Sequence, residues 1–218
     1  MKKVVLLVVL AASLAVPAQA AGGTTYASIG DAIKVLKVAP ESRTGYVRDK
    51  FKHWVNIDGN KQGCDARKSA IIRDAATKPT VTTGCVLTGG KWLSVYDNVT
   101  VDKAGSLDVD HMVPLAEAWD SGASAWTDDK RRAYANDLTD SRHLRSVTGA
   151  SNRSKSDRDP ADWLPTNTAY LCTYLTDWVE IKVRWSLTVD EKELKALKDN
   201  SSKCPKVKIT TLPLPATK

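Results

Sequence analysis

In "DVDHMVPLAEAW", residues 108–119, an aspartate and a histidine stand consecutively in a chain that has only three histidines. The carboxylate of Asp110 is a hard oxygen donor suited to Mg²⁺ or Mn²⁺, and the imidazole of His111 can take a proton from water near neutral pH. Consecutive residues at the end of a strand point in different directions. Asp110 can therefore face an ion while His111 faces the place where a nucleophile would sit, provided that a second ligand comes from elsewhere. "RHLRSVTGASNRSKSDRDP", residues 142–160, offers Asn152 as that ligand, with Arg153, Lys155 and Arg158 nearby to hold phosphate oxygens. The plain alternatives are a half-buried structural histidine and a solvated charged loop in which Asp157 and Asp159 pair with the basic residues. Two linked motifs are harder to produce by accident than either alone.

The pattern resembles the HNH, or ββα-metal, nuclease family. "DHMVP" and "SNRSKSD" are similar to stretches in the HNH domain of RNA-guided DNA-cutting effectors, and nine residues separate His143 from Asn152, as between the two asparagines there. The framing "DHMVPLAEAWDSGA", "AND" and "NRSKSDRDPADWLP" resembles exported bacterial HNH proteins across nearly the whole mature length. The resemblance implies an α+β, ββα-metal (HNH) core with a short β-hairpin and flanking helices. It implies Asp110 and Asn152 as ligands of one divalent cation, Mg²⁺ or Mn²⁺, and His111 as general base. His143 would take the position that orients the base, where the effector domains have Asn, and Asn136 in "YAND" is the other candidate for that role. Products would carry 5′-phosphate and 3′-hydroxyl. Contacts to flanking phosphates from Arg153 and Lys155 read no bases, which predicts low sequence specificity.

The elements that must position these residues are partly readable. Helical spacing of Ile29, Ile33 and Leu36 predicts a short helix within 26–38, and "CDARKSAIIRDAAT" a second with Ala70 and Ile71 inward. "TVTTGCVLTGGKWLSVYDNVTV" is rich in β-branched and aromatic residues and predicts a hairpin turning at Gly89-Gly90. "SLDVDHMVPL" predicts a short strand with Asp110 and His111 at or just after its end, which Pro114 prevents from continuing as a central strand. Thr127 is the expected N-cap of a helix in "TDDKRRAYAND". Over 167–185, Leu171, Tyr174, Leu175, Trp178, Lys182 and Trp185 trace one helical face, with Lys182 the single polar interruption. Thr188 and Glu191 have capping-box spacing before the next helix. The tail predicts a short strand and then a loose end. His53 and the seven tryptophans are read as packing, and Arg67 as a residue that could reach a phosphate.

The opening "MKKVVLLVVLAASLAVPAQA" has a basic start, a short apolar stretch and Ala18-Gln19-Ala20, which predicts a signal peptide over 1–20 and a secreted product with no membrane anchor after processing. The mature chain, 21–218, is read as one endonuclease domain, with its core motif over about 105–165 and a C-terminal helical hairpin over about 167–204. Export makes disulfides the default for Cys64, Cys85, Cys172 and Cys204. Of three connectivities, Cys64–Cys85 and Cys172–Cys204 are favoured, because each pair encloses a local unit. The formal charge of +7 falls to +5 once Lys2 and Lys3 leave with the leader, and such an excess suits a polyanion. The function expected is that of a secreted, metal-dependent endonuclease acting on DNA, with RNA left open as a substrate. The rival is a non-catalytic exported protein that binds extracellular DNA or an anionic wall polymer. A Ser-His-Asp hydrolase ranks below both for want of a G-x-S-x-G setting.

Overall fold

A computed structural model describes residues 23–57 and 59–215; the expected leader lies outside these residues. The elements in chain order are β1 (Thr25–Tyr26), α1 (Ile29–Ile33), α2 (Ala66–Asp74), β2 (Thr80–Thr82), β3 (Val86–Thr88), β4 (Trp92–Ser94) and β5 (Val99–Val101). Then come β6 (Leu107–His111), α3 (Leu115–Asp120), α4 (Asp128–Ala135), β7 (Leu144–Thr148), α5 (Gly149–Lys155), α6 (Leu171–Trp185), α7 (Glu191–Ser201) and β8 (Ile209–Thr210). The class is α+β, with strands in antiparallel pairs β1–β8, β2–β3, β4–β5 and β6–β7.

The pair β6–β7 carries the motif residues, in a register that sets Asp110 opposite Arg145 and His111 opposite Leu144. Leu107 and Val109 alternate onto one face and pack with Leu144, Ile71 and Trp92. Thr148 ends β7 and caps α5 at once, its Oγ1 accepting from the Ser151 amide at 3.2 Å. A two-stranded ribbon leaves backbone groups unpaired at both edges. α2 covers them: Arg67 donates to the Leu107 carbonyl at 2.7 Å, Arg73 to the Leu144 carbonyl, and the Ser146 amide donates to Asp74 at 2.8 Å. Arg67 is thus committed to the ribbon rather than to a phosphate.

The main core gathers Met112, Val113, Tyr134, Tyr174, Trp178 and Trp185 from α4, α6 and the stretch after β6. Both expected disulfides are formed, Cys64–Cys85 from just before α2 to the turn between β2 and β3, and Cys172–Cys204 from the start of α6 to the segment just after α7. Thr127 caps α4, its side chain accepting from the Lys130 amide.

Two local expectations need correction, and the reading of Pro114 holds with one addition. The segment after α2 forms two hairpins, turning at Gly84-Cys85 and at Asn98, all with positive φ; Gly89-Gly90 joins them instead of turning one. Pro114 does more than stop β6, because its fixed φ of −55° starts α3. α7 is capped by Asp190, which accepts from the Glu193 amide at 2.7 Å, so the expected Thr188 box is displaced by two residues.

Lys182 is fully buried on the apolar face of α6, and its ammonium donates to Glu117 at 2.6 Å, Glu193 at 2.9 Å, Ser121 and the Thr188 carbonyl. The carboxylates of Glu41, Glu117 and Glu193 lie within 4.8 Å of one another, so this trio is a site already met by a lysine. Glu41 is the odd member: its Oε1 is buried without a partner among the described residues, and burial, with Glu117 beside it, raises its pKa to about 8. A carboxyl whose folded pKa is raised holds a proton that the unfolded chain releases, so its contribution to stability is lost as pH rises from about 5 to 8. Urea unfolding at both pH values checks this. Glu41→Gln should gain stability over the wild type at pH 8 and little at pH 5, and an equal difference at the two values would rule out titration of Glu41 in that window.

Candidate functional site

The end of β6 and the C-terminal half of α5 open onto a cavity of about 420 Å³. β6 supplies Asp110 and His111, α5 supplies Asn152 and Arg153, and the stretch entering the short 3-10 turn Arg48–Lys50 adds Tyr46 and Arg48.

His111 is 4% exposed, and its ring lies between Trp54, stacked at 5.2 Å and 26°, and Tyr134, at 6.4 Å and 10°. Nε2 is 2.9 Å from the carbonyl oxygen of Ala135, the last residue of α4. A carbonyl can only accept, so Nε2 carries the proton and Nδ1 holds the lone pair. Among the described residues nothing hydrogen-bonds Nδ1. Burial holds the imidazole pKa well below the ordinary histidine value, with His143 adding to the effect, so the ring is neutral at physiological pH. The Ala135 carbonyl works in the opposite direction and would stabilise the ring when it gains a proton. It is one of the unpaired carbonyls at a helix end, where the helix dipole is negative.

Asp110 is 5% exposed and accepts from Tyr96 Oη at 2.6 Å. Lys155 Nζ lies 3.0 Å from its Oδ1 and 2.8 Å from its Oδ2, and also donates to the His111 carbonyl at 3.0 Å. Burial raises the Asp110 pKa and lowers that of Lys155, and each partner opposes the other's shift. The expectation that Lys155 binds substrate phosphate is therefore corrected: the side chain is wholly buried, and its ammonium is committed to β6. Ser151 and Lys155, four apart on α5, form the buried side of that helix, a spacing visible in the sequence once Thr148 is known to be its cap. Arg158 is exposed and folds back on the end of α5, donating to the Lys155 carbonyl at 3.3 Å and to the Ser154 carbonyl. Of the three expected phosphate binders, Arg153 lines the cavity with its side chain 74% exposed.

Asn152 donates from Nδ2 to Asp108 Oδ2 at 3.2 Å. Asp108 was not singled out by its residue type, although strand alternation puts it on the same side of β6 as Asp110. His143 does not bond His111; the rings meet edge to face at 6.1 Å. It is fully buried, packed edge-on to Tyr134 at 4.4 Å and near Trp185, and both its nitrogens lack partners among the described residues. Asn136 is not a partner of His111 either: its side chain accepts from the Val55 amide at 3.0 Å and donates to the Lys52 carbonyl at 2.7 Å. The contact that holds His111 comes from a main-chain atom, which residue type cannot announce.

A model of the family described as GmrSD restriction endonucleases, C-terminal domain, matches residues 65–200. The chain belongs to that family. The match runs from the N-cap of α2 into α7 and so includes every motif residue named above, whereas the GmrSD C-terminal domain model does not reach Tyr46, Arg48 or Trp54. A protein of the fungus Arthroderma benhamiae, titled "Uncharacterized secreted protein", is 39% identical over 170 residues, covering 78% of this chain and 81% of the relative. No solved structure matches the chain.

The surroundings of His143 carry a prediction. Two buried nitrogens without partners cost desolvation that an apolar side chain of similar volume avoids. His143→Leu should therefore leave the urea unfolding free energy unchanged or raise it by about 1 kcal/mol. A loss of more than about 2 kcal/mol would show that a His143 nitrogen makes a bond in solution.

Proposed function

We propose that this protein is a secreted, metal-assisted endonuclease that hydrolyses DNA phosphodiesters with low sequence specificity. The observation that carries the reading is the state of His111, a neutral imidazole with Nε2–H anchored on Ala135 and Nδ1 free, in a ring that lines a cavity beside Asp110, Asn152 and Arg153. Family membership supports the nuclease class. The secreted relative and the two disulfides support export, and no described helix is long and apolar enough to cross a membrane.

The donor set fits a hard divalent cation. An ionised carboxylate has about four lone-pair sites, and Asp110 gives three to Lys155 and Tyr96, which leaves one. The Asn152 amide nitrogen is turned to Asp108, so its carbonyl oxygen has no partner among the described residues. Asp110 and Asn152 would hold Mg²⁺ or Mn²⁺, with Asp108 beside them as a further oxygen donor. When bound, such an ion supplies neutralisation of charge on the scissile phosphate and the leaving oxygen.

In this reading His111 Nδ1 accepts a proton from water as the water oxygen attacks phosphorus in line. The bond to the 3′-oxygen breaks, and the departing oxyanion takes a proton from solvent, leaving 5′-phosphate and 3′-hydroxyl ends. Ala135 stabilises the imidazolium formed at that moment through its carbonyl, and Trp54 and Tyr134 keep the ring in plane. Arg153 and Arg48 face the cavity as guanidinium groups for non-bridging phosphate oxygens. His143 packs against the site and takes no part in proton transfer.

Plasmid nicking tests the reading. Cleavage should stop with chelator and return with Mg²⁺ or Mn²⁺, and His111→Ala should lower the rate by about 10²- to 10⁴-fold with DNA affinity little changed. Binding without cleavage under every metal condition would favour the non-catalytic binding protein instead. Affinity for duplex DNA should also weaken steeply with salt, because contacts to phosphates release counterions. A flat dependence between about 50 and 200 mM salt would remove DNA as the polyanion.

A further inference from the structure

Trp54 is bulky, lies outside the span of the family match, and has a backbone φ of +58°. A large aromatic residue is disfavoured in that left-handed region and stays there only when its surroundings fix it. The surroundings are Asn136 and the start of α2. Asn136 Oδ1 accepts from the Val55 amide at 3.0 Å, its Nδ2 donates to the Lys52 carbonyl at 2.7 Å, and the Val55 carbonyl accepts from the Ala66 amide at 3.0 Å. The chain on both sides of Trp54 is thus fastened to the residue that follows Ala135. The result of this backbone geometry is the stack of the indole on His111 at 5.2 Å. Tyr134 lies nearly parallel to the imidazole with ring centroids 6.4 Å apart, and its hydroxyl donates to the Val113 carbonyl at 2.6 Å.

We infer that Trp54 is a positioning residue for His111, held in a strained backbone conformation by Asn136 so that its indole fixes the plane of the imidazole. The face contact from Trp54 and the edge contact from the Ala135 carbonyl are set by one helix end, since Asn136 is the C-cap of α4. With both in place the ring has one plane and one hydrogen bond, and so one tautomer. Without the indole it can tilt away from Ala135, and the Nε2–H form loses its preference. The catalytic consequence rests on the endonuclease reading; the structural one, a single tautomer, does not.

Two variants separate positioning from ordinary packing. Glycine adopts a φ of +58° without penalty, so Trp54→Gly removes the indole and the strain together. Trp54→Phe keeps an aromatic face. Long-range ¹H–¹⁵N spectra report the tautomer of each histidine directly, and the chain has only three. The wild type and Trp54→Phe should show His111 as a single Nε2–H tautomer, and Trp54→Gly should show exchange between tautomers. The indole also packs on the cluster of Ile71 and Trp92, so relief of the strained angle offsets only part of the loss and the melting temperature of Trp54→Gly should fall. In nicking kinetics kcat should fall by about tenfold or more in Trp54→Gly, with KM changed less than about twofold, and Trp54→Phe should restore most of kcat. A single tautomer retained in Trp54→Gly overturns the proposal, since a fall in melting temperature with the tautomer unaltered is the mark of simple packing. If the wild type shows no cleavage, the endonuclease reading fails, and the tautomer comparison still decides the role of Trp54.

Discussion

The ammonium of Lys155 joins a strand and a helix, β6 and α5, at one buried point. It donates to the side chain of Asp110 and to the main chain of His111, and it is the last residue of α5, so it pins that helix against the end of β6. Burying a lysine and an aspartate costs several kcal/mol for each ion, and only close pairing with further hydrogen bonds offsets it. Here Tyr96 and the His111 carbonyl provide those bonds. The pair contributes little net stability on these terms, yet it leaves one way for the strand and the helix to meet. Asn152 and Arg153, one turn earlier on α5, are set beside the cavity as a consequence.

The rest of the fold serves the same small ribbon. A pair of five-residue strands cannot hold itself together in water, and each side of this one is covered by a different device. α2 answers the free edge groups with two arginines and an aspartate. The hairpin β4–β5 meets β7 from elsewhere, where Ser94 and Asp97 receive the Thr148 amide and hydroxyl. α6 binds Arg145 through Asp177 at 2.7 Å. The Cys64–Cys85 bridge fixes the start of α2, and Cys172–Cys204 fixes the start of α6. The bridges thus support two of the helices whose polar side chains reach the ribbon, α5 being the third.

Much of this arrangement is legible in the residue types. The helix with Thr127 as its cap, the inward face of α6 and the cysteine pairing all follow from local rules that need no knowledge of distant partners. So does the end of the strand at Asp110 and His111, because alternation and Pro114 leave few other choices. The illegible parts share one physical character: each depends on a group whose importance lies in what approaches it. Lys155 looks like a surface charge until Asp110 and the His111 carbonyl come within reach. Lys182 reads as an interruption of an apolar stripe until Glu117 and Glu193 arrive from α3 and α7. Ala135 matters for its carbonyl alone, and Trp54 for a backbone angle that no rule assigns to tryptophan. His143 shows the reverse case, where a residue able to do chemistry is placed among aromatic rings that give it no polar partner.

The last turn of a helix opens more readily than its middle, and the local free energy of that opening can lie far below that of global unfolding. In this protein the last turn of α4 ends in Ala135, and Asn136 ties it to residues 52 and 55 through side-chain bonds. Fraying there would withdraw the carbonyl from the edge of the imidazole and release the indole from its face in a single event. The geometry around His111 is therefore cooperative over a unit of about a dozen residues rather than over the whole core. The lifetime of that geometry is set by how often one helical turn lets go, a quantity that amide exchange at Val55 reads separately from the melting of the protein.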